Sequence, residues 1–79
     1  MDIPKRVLDE LSLIARVAGP DDDWMLIKKQ LLLSLPSPLR TLFSTRHPKT
    51  KEQSLNDFER CIIDEYNSLT GVRLRLRNE

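Results

Sequence analysis

The single cysteine, Cys61, and the single histidine, His47, are the two residues that suggest nucleophile–base chemistry. Nucleophilic catalysis needs the base held beside the nucleophile. Cys61 falls within a helical pattern on the flank of an apolar face, where cysteine behaves as a small hydrophobe. His47 falls in a polar, proline-containing loop. One cysteine forms no internal disulfide, and with a lone histidine far away in sequence it builds no metal site, so a reducing intracellular compartment is expected. Asp21, Asp22 and Asp23 are three adjacent carboxylates, but a calcium loop alternates its ligands and ends on a distal glutamate. They read instead as a helix start, one of them capping free N–H groups at the positive end. Asp64 and Glu65 are neighbours on a helix and point apart. Gly19 and Gly71 are too few for a phosphate-cradling loop. Neither catalysis nor a cofactor is expected.

The elements around these residues are helical. Pro4 suits the opening turn of a first helix after Asp2. Val7, Leu11, Ile14 and Ala18 cluster on one side at 3.6-residue spacing, with Leu8 and Ala15 beside them. Gly19, by adopting a left-handed conformation, and Pro20 close that helix. A second helix spans Trp24 to Leu35, with Trp24, Ile27, Leu31 and Leu35 on its core face. Pro36 stops it. Ser37 caps a short third helix with Pro38 at its first position and Leu39, Leu42 and Phe43 facing inward. The segment from Ser44 to Gln53 reads as a loop. Ser54 restarts a helix, Asp57 approximating a capping box, and Leu55, Phe58, Ile62, Tyr66 and Leu69 line its inner face. Gly71 is the expected stop. The fold class is all-α, a compact bundle of about four helices over residues 1–71, with residues 72–79 as a flexible basic tail.

The stretch LLLSLPSPLRTLF, from Leu31 to Phe43, is apolar enough to raise a membrane reading. A spanning helix needs about 20 predominantly apolar residues. Lys28, Lys29 and Gln30 precede this run and Arg40 interrupts it. The first residues also show no secretory pattern. The prolines divide the stretch into two helices meeting at a corner. Its leucines divide as well: Leu31 and Leu35 face the core with Trp24, while Leu33 joins Leu26 on nearly the opposite face. A surface helix keeps that side polar. Leu13 and Val17 lie off the core face of helix one in the same way.

A chain of 79 residues with a formal charge of +1 makes one small domain with no strong overall field. Charge clusters such as Asp57, Glu59, Asp64 and Glu65 read as solvated faces. Lys49, Lys51, Arg73, Arg75 and Arg77 are the candidates for nucleic-acid contact, without a basic helix face to organise them.

The segment Leu31-Leu32-Leu33-Ser34-Leu35-Pro36 resembles the Leu-Leu-x-Ser-Leu-Pro signature of copia-type (pseudovirus, yeast Ty-like) retrotransposon Gag proteins. The surroundings are similar too: Leu11-x-x-Ile14, then Gly19 and an acidic turn before Trp24; the basic Thr45-Arg46-His47; and Ser54-Leu55-Asn56-Asp57-Phe58 with Ile62 and Glu65. The likeness covers roughly Val7 to Leu69. It implies a retroviral-capsid C-terminal-domain-like fold that pairs with copies of itself in virus-like particle assembly. It also departs from the family pattern, with no N-terminal capsid half and no Cys-Cys-His-Cys zinc knuckle.

The resulting expectation is a cytoplasmic structural module, not an enzyme, whose partners are itself as a homodimer and full-length Gag. Its interface would be Leu13, Val17, Leu26 and Leu33. Acting alone, such a module would enter a growing shell and stop it. Two alternatives stay open: a helical adaptor binding a host protein through the same leucines, and weak RNA contact through the basic loop and tail.

Overall fold

A computed structural model describes residues 2–17, 19, 22–44 and 55–74. Among them are four helices: α1 (Lys5–Arg16), α2 (Trp24–Ser34), α3 (Ser37–Arg40) and α4 (Asp57–Thr70). The all-α bundle is therefore observed, with α3 a single turn. The radius of gyration, 11.6 Å, matches the ~12 Å expected of a folded chain this long.

Local chemistry sets each boundary. Pro4 precedes α1, and its carbonyl accepts from the Val7 and Leu8 N–H groups. Asp23 caps α2, its side chain accepting from Leu26 N at 2.9 Å. Leu35 is extended, as a residue before proline must be, and Arg6 Nη2 donates to the Ser34 carbonyl at 3.2 Å, satisfying one end group of α2. Gly71 ends α4 at φ 71°, where a left-handed backbone favours glycine.

Four boundary expectations need correction. Gly19 does not close α1: the helix ends at Arg16, capped by Val17, and Gly71 is the one described glycine with positive φ. Ser37 does not cap α3 but begins it, after Pro36. The capping box of α4 is Asn56 with Glu59, and Ser54 lies outside the described residues. Asn56 has glutamate at the third helical position, the combination that satisfies two orphan N–H groups reciprocally. Finally, the domain does not stop at residue 71. Leu74 N donates to Asn67 Oδ1 at 2.8 Å, and Leu74 is buried against the core, so the start of the supposed flexible tail is folded.

The core comes from all these elements. α1 packs against both α2 and α4, contributing Val7 and Leu11, which are fully buried. Trp24, Ile27, Leu31 and Leu35 are buried from α2 and its exit, as their spacing predicts. Trp24 stacks on Phe43 with ring centroids 6.4 Å apart, and Phe43 meets Phe58 edge-on at 5.3 Å. Such aromatic pairs add about 0.5–1.5 kcal/mol beyond burial, and here they join α2, the turn after α3 and α4. The inner face of α4 is Phe58, Glu59, Ile62, Ile63 and Tyr66. Leu69 and Leu42, expected inside, are exposed. Each sits at or beyond the last turn of its helix, where a wheel gives direction but not whether another element reaches that far.

Candidate functional site

Two polar clusters tie α4 to the preceding elements. The first is inside. Lys28 lies between Trp24 and Leu31 on the core face, and its Nζ donates to the Ser44 carbonyl at 2.7 Å. The same Nζ is 2.8 Å from Glu59 Oε2, a charge contact rather than an aligned hydrogen bond. Glu59 Oε1 accepts from Asn56 N at 3.0 Å while Asn56 Oδ1 accepts from Glu59 N at 2.7 Å. Asn56 Nδ2 also reaches the Leu42 carbonyl at 3.0 Å. One buried carboxylate therefore closes the capping box and neutralises a buried ammonium. This corrects the reading of the α4 carboxylates as a solvated face, since Glu59 is fully buried. The signal was in the spacing: Lys28 stands in the middle of the Trp24–Leu31 stripe, and a buried charge requires a partner.

The second cluster joins the α1–α2 connection to α4. Asp22 Oδ2 accepts from Gly19 N at 2.9 Å and from the Tyr66 hydroxyl at 3.2 Å. Burial first, and the Asp22 carboxylate second, push the Tyr66 phenol up to about 12. An unfolded tyrosine ionises near 10. The folded state holds its proton more tightly, so this contribution is complete below about pH 10 and is lost as pH rises through about 12. The expected loss is roughly 2–3 kcal/mol across that window, at about 1.4 kcal/mol per pH unit for one proton. Because Tyr66 is the only tyrosine, spectrophotometric titration of the phenolate checks it directly. A midpoint near 10 in the folded protein would contradict the burial of the ring and its hydrogen bond to Asp22.

The surface tells a different story from the core face. α2 is apolar nearly all round: Met25 and Leu32 are partly buried against the core, while Leu26 and Leu33 are 43% and 78% exposed. On α1, Leu13 and Val17 are 53% and 80% exposed. All four residues singled out by the sequence are therefore outside the core. Sequence reasoning missed Leu69 and Val72, also exposed, at the end of α4 and just after it. Of the proposed nucleic-acid contacts, Arg73 is exposed, while Lys49, Lys51, Arg75 and Arg77 lie outside the described residues.

Cys61 is half-buried, and His47 lies outside the described residues. A shallow depression of about 210 Å³ is lined by Leu55, Arg60, Ile63 and Asp64, smaller than the ~300 Å³ where ligand pockets begin. Among the described residues no cluster of histidine, cysteine or carboxylate side chains could hold a metal ion. No described helix is long and apolar enough to cross a membrane.

No family model, curated protein or solved structure matches the chain.

Proposed function

We propose that this chain is a structural self-association module, a capsid C-terminal-like domain of a copia-type retrotransposon Gag that pairs subunits during particle assembly in the cytoplasm. The observation that carries the reading is the second face of α2. A helix whose core side is fully paid up by Trp24, Ile27 and Leu31 nevertheless presents Leu26 and Leu33 to solvent. Exposed apolar groups of this kind on a small domain mark contact surfaces when they cluster. The Leu-Leu-Leu-Ser-Leu-Pro segment supports the Gag assignment, because its last turn supplies both Leu33 and the corner that follows.

The pairing is weak by design of its size. Two leucines on α2, with Leu13 and Val17 on α1, fall short of the roughly 800 Å² per partner of a standard interface. A shell tolerates weak contacts because each subunit makes several, and multivalency multiplies them. The test is a dilution series followed by NMR. Signals of Leu13, Val17, Leu26 and Leu33 are expected to shift with concentration while those of buried Leu11, Ile27 and Ile62 stay fixed. Spectra independent of concentration up to about 1 mM, where even a weak 4 kcal/mol association would register, would contradict it.

A further inference from the structure

Of the five prolines in the chain, only Pro38 follows a hydroxyl-bearing residue. Ser37-Pro38-Leu39-Arg40 is thus its single Ser/Thr–Pro pair, and a cation stands three residues after the serine. The fold presents this pair in the open. Residues 36–38 and 40–42 are exposed, between the buried anchors Leu35 and Phe43. The Ser37 hydroxyl does not cap α3. Its Oγ instead accepts from Arg40 Nη2 at 3.2 Å on the surface. Thr41, in the same corner, is followed by leucine, and its hydroxyl donates to the Pro38 carbonyl at 2.8 Å.

We propose that Ser37 is the phosphoryl acceptor of a proline-directed serine kinase, and that Arg40 holds the phosphate once it is attached. Ser37 Oγ attacks the γ-phosphorus of ATP, the bond from that phosphorus to the β–γ bridging oxygen breaks, and ADP leaves. The hydroxyl proton passes to the catalytic aspartate of the kinase.

The segment suits that reaction in two ways. Pro38 has no N–H, so an apolar pocket of the kinase receives it without stranding a donor. Pro38 also biases Ser37 toward extended backbone, the form in which a kinase cleft takes its substrate. Reaching that form means opening α3, a single turn with no buried residue. A helix this short has little stability of its own, and Pro36, whose carbonyl accepts from Leu39 N and Arg40 N, is itself exposed. The opening stays local, because Leu35 and Phe43 remain in the core on either side.

The attached group brings a charge of about −2 and three acceptor oxygens. Arg40 already reaches the oxygen that would carry it, so a contact to a neutral hydroxyl becomes a charge-assisted one. The formal charge of the chain moves from +1 to about −1. The site stands whether or not the chain pairs with itself.

The full chain with Mg-ATP and a kinase of the cyclin-dependent class, which selects proline next to the serine and a cation two residues further on, tests the site. Intact mass and fragment sequencing should show wild type gaining one phosphoryl group, on Ser37, and Ser37→Ala gaining none. Pro38→Ala should lower kcat/KM roughly tenfold or more. Phosphorus NMR reads the role of Arg40 on chains brought to full phosphorylation by longer incubation. The guanidinium favours the dianion, so the second ionisation should fall at lower pH in wild type than in Arg40→Gln. A wild-type chain that takes up no phosphate, or uptake undiminished in Ser37→Ala or Pro38→Ala, would overturn the site. Equal ionisation midpoints would overturn the role of Arg40.

Discussion

Replacing Glu59 by alanine is expected to remove most of the stability of the fold. Its carboxylate neutralises the Lys28 ammonium at 2.8 Å in the core and accepts from Asn56 N in the capping box. Removing one partner of a buried pair costs about 3–5 kcal/mol, because the other charge stays desolvated. Loss of the box adds about 1 kcal/mol. A domain of this length has only about 4–12 kcal/mol in total. Urea unfolding followed by circular dichroism should show a Glu59→Ala chain largely unfolded without denaturant. The double substitution Lys28→Met with Glu59→Gln removes both charges yet keeps the cap acceptor, and should recover at least half of the loss. A Glu59→Ala midpoint equal to wild type would show that the pair is not formed.

Leu33→Asp is expected to do the reverse, sparing the fold and abolishing pairing. Leu33 is 78% exposed, so the substitution removes little core contact and costs the helix no more than about 1 kcal/mol. In an isologous contact the change enters twice, and each carboxylate would be desolvated against a leucine. The dissociation constant should rise at least ~100-fold, about 2.7 kcal/mol, with the helical spectrum retained. Leu69→Asp is the control. That leucine is also exposed but lies on α4, a different helix from the stripe, and its substitution should leave pairing unchanged.

The α2 stripe was legible because helical spacing alone decides it: Trp24, Ile27, Leu31 and Leu35 fall together, and Leu26 and Leu33 fall opposite. The same logic held for Val7 and Leu11. It failed at Leu69 and Leu42, where direction is right but the end of the packed layer cannot be read from one helix. Glu59 was missed for another reason. Its charge says surface, and only the joint reading of Asn56, the third helical position and the core placement of Lys28 turns it inward. Leu74 was lost inside an alternating basic tail, since its burial depends on Asn67 folding the chain back. That the outward leucines bind another copy is a proposal the wheel motivates, not one it contains.

Sedimentation equilibrium of the wild-type and Leu33→Asp chains, side by side from about 10 μM to about 1 mM, tests that proposal most directly. The wild-type average mass should climb from 9.2 kDa toward twice that value, while Leu33→Asp stays at the monomer. A wild-type chain that remains monomeric throughout, or a Leu33→Asp chain that pairs as tightly as wild type, would contradict it.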